Sequence, residues 1–122
     1  MSEFSVHLSN RPGHLATLAE KLAAAGVNIE ALAAFSMGEF GVVRMMVDDH
    51  LTTRAVLKRA GLRYEEHTVI ETVLPHRQGE LARMTRELAD SGVNIDAMYL
   101  VNSSPEGLHF AVTVNESADA VS

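Results

Sequence analysis

The chain has 122 residues, enough for one ordinary domain or two small ones. Hydrophobic residues make up 47% of it and aromatics 5%, with no Trp, so a core of Ala, Leu, Val, Ile and Met is expected and global disorder is not. A formal charge of −6 argues against a phosphate backbone as partner, and the absence of Cys excludes disulfides, thiolate metal sites and a cysteine nucleophile.

Met1 to Leu8 lacks a basic segment followed by an apolar run, so no signal peptide is expected there. No stretch is long and apolar enough to span a bilayer. The expectation is a soluble, cytoplasmic protein. Phe4, Val6 and Leu8 alternate with Ser5 and His7, the period of a half-buried strand. Asn10-Arg11-Pro12-Gly13 breaks it, and Pro12 suits the first turn of a helix, where its missing N–H is not needed. Leu15, Leu18, Ala19, Leu22 and Ala23 then recur at helical spacing. The small residues Ala16, Ala19, Ala23, Ala24 and Ala25 are expected to let this helix lie close to a sheet. Gly26 ends it.

Ile29, Ala31, Ala33 and Phe35 resume the period of two, Gly38 and Gly41 mark a hairpin, and Val42 to Val47 reads as a central strand. Asp48 or Asp49 caps a second helix over Leu51 to Ala60, closed by Gly61, with Val56, Leu57 and Ala60 facing inward. A last strand falls near Leu62 to Glu66. The order β-α-β-β-α-β, with right-handed crossovers, predicts a ferredoxin-like unit: two helices on one face of a four-stranded antiparallel sheet.

The phrase then repeats. Gly13-His14-Leu15-Ala16 and Gly26-Val27-Asn28-Ile29 return 66 residues later as Gly79-Glu80-Leu81-Ala82 and Gly92-Val93-Asn94-Ile95. Between Arg11 and Leu32, 11 of 22 positions are identical at that offset, so the chain holds two copies of one unit, over residues 1–67 and 68–122. The second copy has a strand from near Val69 to Leu74 and a helix using Leu81, Met84, Leu88 and Ala89. A strand with Ile95, Ala97, Tyr99 and Val101 on one face follows, then a turn-rich loop from Ser103 to Gly107, then a strand from Leu108 to Val114. The residues after Asn115-Glu116 are too few for a second helix and last strand. The fold class is therefore α+β, two ferredoxin-like βαββαβ repeats with the second incomplete. An uncovered sheet edge is a hazard, to be met by the first copy's last strand or by a partner chain.

With these turns in place, the chain resembles the ACT domain family, small amino-acid-sensing regulatory modules of βαββαβ topology. The first copy especially resembles the serine-sensing ACT domain of phosphoglycerate dehydrogenase, through Asn10-Arg11-Pro12-Gly13 and Gly26-Val27-Asn28-Ile29. The resemblance implies domains that pair side by side and hold an amino acid at the shared interface, with Asn10 and Asn28 as contacts. The second copy keeps Asn94 but has His76 and Gln78 in place of Asn10 and Pro12, and Leu8 and Leu74 stand where the serine-sensing form carries a His. The two sites are therefore expected to differ from each other and from the serine-sensing one.

The chemistry fits a zwitterion. Free N–H groups near Gly13, His14 and Leu15 at a helix start favour a carboxylate, and an Asn amide offers both donors and an acceptor. The candidate ligand-binding residues are Asn10, Pro12, Gly13, His14, Leu15, Asn28 and Ile29 in the first copy. Gly79, Glu80, Leu81, Asn94 and Ile95 are their counterparts in the second, where Glu80 is expected to make the loop less welcoming to a carboxylate. The alternative reading takes the glycines as turn and cap residues only and the asparagines as bonding only nearby backbone.

No catalytic residues and no cofactor are expected, since no nucleophile elbow, P-loop or dinucleotide fingerprint is present. Six His with Glu65-Glu66-His67, or His76 with Glu80, raise a metal site, but none has zinc-motif spacing. The partners expected are an amino acid or similar small zwitterion, a second copy in a homodimer and a separate effector protein, with no nucleic acid and no membrane. The alternative function is a protein–protein interaction or oligomerisation module without a small ligand.

Overall fold

The alternation at the start of the chain becomes strand β1 (Ser2–Ser9), and its apolar residues Phe4, Val6 and Leu8 all enter the core. The computed structural model describes residues 2–114. Helix α1 (His14–Ala24) follows the predicted break, then β2 (Ile29–Met37), β3 (Phe40–Val47), α2 (His50–Arg59) and β4 (Arg63–Thr68). These strands form one sheet in the order β2-β3-β1-β4, the ferredoxin-like arrangement, with β3 antiparallel to both β1 and β2. The chain divides between His67 and Thr68 into two compact units.

The core of the first unit is aliphatic, as its composition requires. Leu18 and Leu22 of α1, Leu57 of α2, and Val43, Met45 and Val47 of β3 pack with Phe4, Val6 and Val27. Each such side chain contributes about 1.5–3 kcal/mol on full burial. Tyr64 of β4 leans on Phe4, ring centroids 5.9 Å apart. Asp49 caps α2: its Oδ1 accepts from the Thr52 N–H at 3.0 Å and its Oδ2 from the Thr52 hydroxyl at 2.5 Å.

Three local expectations are corrected. Pro12 lies before α1 rather than in its first turn; the cap is Gly13 at φ 89°, a left-handed conformation that glycine adopts without a Cβ penalty. Ala16, Ala19, Ala23, Ala24 and Ala25 are exposed, because the leucines at i and i+4 take the face toward the sheet and the alanines fall on the others. Strand β1 is buried on both faces: Glu3 and Ser5 are buried too, and Arg44 donates to the Glu3 carboxylate at 2.7, 3.1 and 3.2 Å.

The second unit contains β5 (Ile70–Leu74), α3 (Glu80–Asp90), β6 (Ile95–Ser104) and β7 (Gly107–Val114), with sheet order β5-β7-β6. Strands β5, β7 and β6 repeat β1, β3 and β2. Among the described residues β5 has no neighbour in the place that β4 holds beside β1. The residues predicted to fall short of a second helix, 115–122, lie outside those described. Helix α3 buries no residue fully; Met84 and Leu88 are half-buried and Leu81 and Ala89 exposed. The predicted loop from Ser103 to Gly107 is shorter than expected. Ser103 and Ser104 stay in β6, and Pro105-Glu106 alone turn the chain, with Pro at the second and Gly107 at the fourth position of the turn.

Candidate functional site

The first-copy loop is built at the join of β1 and α1. Asn10 leaves the strand, and its side-chain N–H₂ donates to the Ser36 hydroxyl and to the Gly38 carbonyl, both at 2.8 Å. Its backbone N–H donates to the Glu39 carbonyl at 2.7 Å. Asn10 therefore ties the loop to the hairpin between β2 and β3. Its amide donors are committed, and its carbonyl oxygen is the group left to face a ligand.

His14 opens α1 and folds back on Ser9. Its Nδ1 lies 3.0 Å from the Ser9 carbonyl oxygen and 3.1 Å from the Ser9 hydroxyl. A carbonyl only accepts, so in this contact Nδ1 is the donor. No side chain caps the first turn of α1; the His14 N–H donates to the Arg11 carbonyl at 3.3 Å, which leaves the Leu15 and Ala16 N–H groups at the positive end of the helix.

Asn10, Arg11, His14 and Leu15 line a recess of about 250 Å³ with Ala34, Phe35 and Ser36 of β2 and Val42 of β3. Pro12 and Gly13 complete the turn beside it. Asn28 and Ile29 are elsewhere. They precede and begin β2, whereas the recess lies against its far end; seven strand steps lead from Ile29 to Ser36, about 23 Å. The Asn28 backbone is fixed, its N–H donating to Asp48 Oδ1 at 2.9 Å and its carbonyl accepting from the Asp48 N–H at 3.2 Å. The Asn28 side chain is exposed, and Ile29 packs against the core. Asn10 and Asn28 of one unit thus stand at opposite ends of an edge strand.

In the second unit Gly79 caps α3 in the same left-handed conformation, φ 85°. Glu80 takes the place of His14 but pairs within the loop, to Arg77 Nη2 at 3.0 Å and to Arg83 Nη2 at 2.9 Å. The Arg83 and then the Arg77 guanidinium hold its carboxyl below the usual glutamate range. Leu81 and Asn94 are exposed, and Ile95 is half-buried at the start of β6.

Sequence reasoning passed over Arg11, Phe35 and Ser36. Arg11 had a signal, since it is one of the identities between the copies; Phe35 and Ser36 reach the recess only through the hairpin. A larger groove of about 480 Å³ runs between α1 and α2, lined by Lys21, Ala24, Val56 and Arg59 among others, and includes none of the candidate residues. Among the described residues no group of three His, Cys, Asp or Glu is placed to hold a metal ion. Of the suggestive acids, Glu65 pairs with His7 at 3.1 Å and Glu66 with Arg54 at 2.8 Å. No helix of the described residues is long and apolar enough to cross a membrane.

A sequence model described as an ACT domain pair matches residues 1–120. No curated protein matches the sequence. Among solved structures, a protein from Bacteroides thetaiotaomicron is similar with a TM-score of 0.81 at 24% identity, over 98% of this chain and 84% of that one. The regulatory subunit of aspartate kinase from Thermus thermophilus, in its ligand-free form, is similar with a TM-score of 0.69 at 17% identity, over 98% and 85%. The corresponding subunit from Thermus flavus gives 0.66 at 17% identity, over 98% and 86%. At these identities the likeness is one of fold.

Proposed function

This chain belongs to the ACT domain family, as a pair of such domains, and from that premise we propose that it is a non-catalytic regulatory module that binds an amino acid, or a similar small zwitterion, where ACT domains meet. The observation that carries this is the placement of Asn10 and Asn28 at opposite ends of β2, itself an edge strand. One unit cannot bring both to a small ligand. Antiparallel pairing of β2 with the β2 of a second copy, centred on Leu32, sets Asn28 of the partner subunit opposite Ser36, the residue that Asn10 holds. The same pairing sets Glu30 against Ala34, so no like charges oppose each other across the seam. Leu32 and Phe35 are 45% and 55% exposed and would be covered by it.

A ligand bridging the seam contacts groups from both sides. Its carboxylate meets the amides at the start of α1, and its ammonium meets the Asn10 side-chain carbonyl oxygen. Such a ligand favours the paired arrangement by no more than its differential affinity for it. The similar aspartate kinase chains are named as regulatory subunits, which supports a signal passed to a separate effector protein. The test is a thermal-shift screen of the amino acids beside sedimentation of the free protein. At least one amino acid should raise the melting midpoint, since a ligand that binds only the folded state stabilises it. A concentration-dependent dimer with no response to any of them would instead support an interaction module without a small ligand.

A further inference from the structure

The two copies keep one arginine in the same turn and give it different company. Arg11 and Arg77 each stand two residues before the glycine that caps the following helix. Three residues after each arginine the copies diverge, to His14 in the first and Glu80 in the second. Glu80 Oε1 accepts from Arg77 Nη2 at 3.0 Å, and Oε2 accepts from Arg83 Nη2 at 2.9 Å and Nε at 3.2 Å. Arg83 also reaches Glu87 at 3.0 Å. Under this fork the Glu80 side chain is only 16% exposed. His14 turns back to Ser9 instead, and among the described residues no carboxylate pairs with Arg11, which lines the recess.

Resting on the sensing function proposed above, we propose that Arg11 receives the ligand's carboxylate, and that Glu80 closes the second loop by taking the equivalent arginine, so each chain presents one anion-accepting loop rather than two. A guanidinium with no carboxylate of its own, beside the uncapped amides of a helix start, is a competent receptor for an incoming carboxylate. In the second loop that carboxylate is already part of the chain. It competes at an effective concentration far above that of a free ligand, and as an ionised group it repels a second anion. Arg83 offers no way around it, because Glu87 takes what Glu80 leaves.

The experiment is a titration of the full chain, isotope-labelled, with acetate as a bare carboxylate at neutral pH, read at individual backbone amides. In the unmodified protein the Leu15 and Ala16 amides should shift and saturate, while those of Leu81 and Ala82 stay still. Arg11→Gln should weaken the first response about tenfold, the usual loss for a hydrogen bond to a charged group. Glu80→Ala should give Leu81 and Ala82 a response of their own, with the circular dichroism unchanged. The proposal is overturned if Leu81 and Ala82 respond in the unmodified protein, if they stay silent in Glu80→Ala, or if Arg11→Gln leaves the first loop unaffected. Acetate binding as described, with no amino acid binding in the screen, would uphold these roles and refute the sensing function alone.

Discussion

Gly107 is the position where a single methyl group should do most damage. It opens β7 with φ 143° and is buried. A Cβ there would sit inside the van der Waals envelope of the Leu74 carbonyl oxygen, 2.8 Å from the Leu74 carbonyl carbon and 3.2 Å from Pro75 Cα. These atoms are backbone of the neighbouring strand, so no side chain can swing aside. A strained positive φ costs an L-residue about 1–3 kcal/mol, and overpacking adds about 1–3 kcal/mol, so Gly107→Ala should destabilise by roughly 2–6 kcal/mol. Gly38→Ala is the comparison. It shares a positive φ, 68°, but its Cβ would meet nothing within 4 Å, so about 1–2 kcal/mol is expected. Urea unfolding followed by circular dichroism measures both. If the two variants lose the same stability within about 0.5 kcal/mol, the close approach of β5 to β7 is not as described.

Three further outcomes follow from the same contacts. The Asp49 carboxyl is held below the ordinary aspartate value of 3.8, first by the Thr52 hydroxyl and then by the Thr52 N–H. Its contribution to α2 should be complete above that value and lost as pH falls through the lower folded one; urea midpoints measured down the acid range should show this fall, and Asp49→Asn should remove that component. Leu22 and Leu88 are the same residue at equivalent positions, one fully buried and one half-buried. Leu22→Ala should lose about 2–5 kcal/mol and Leu88→Ala clearly less, and equal losses in chemical denaturation would contradict the shallower packing of α3. Asn28→Ala removes a side chain whose backbone alone is bonded to Asp48. It should weaken ligand affinity about tenfold by calorimetry with the melting temperature unchanged, whereas Asn10→Ala should lose affinity and also about 1–2 kcal/mol of stability with its two hairpin bonds.

Much of the fold could be read from residue order because local signals agreed with one another. Leu15, Leu18 and Leu22 closed by Gly26, the Asp49 cap, and the run from Val42 to Val47 each point to a single element. The misreadings share a cause. Alanine is compatible with either side of a helix, so the stripe at Ala16, Ala19 and Ala23 could not declare its direction. Ser103-Ser104-Pro105-Glu106-Gly107 has the composition of a loop, yet a Pro-led turn uses only two of these residues between paired strands.

The candidate site was legible as turns and not as a site. The motifs name Asn10 and Asn28 together, but only the path of β2 shows them to be far apart within one unit. The partnership of Glu80 with Arg77 and Arg83 depends on rotamers that spacing alone does not fix. That partnership adds to the meaning of Glu80, which holds the loop's own arginine besides placing a carboxylate there.

Amide mapping under titration with an amino acid that raises the melting midpoint would test the shared-seam binding site most directly. Resonances of the Gly13 to Ala16 turn and of Val27 to Ile29 should move together along one saturation curve, although roughly 23 Å of β2 lies between them in a single unit. Movement confined to one end of the strand, or two curves with unrelated midpoints, would contradict a ligand held across paired edges.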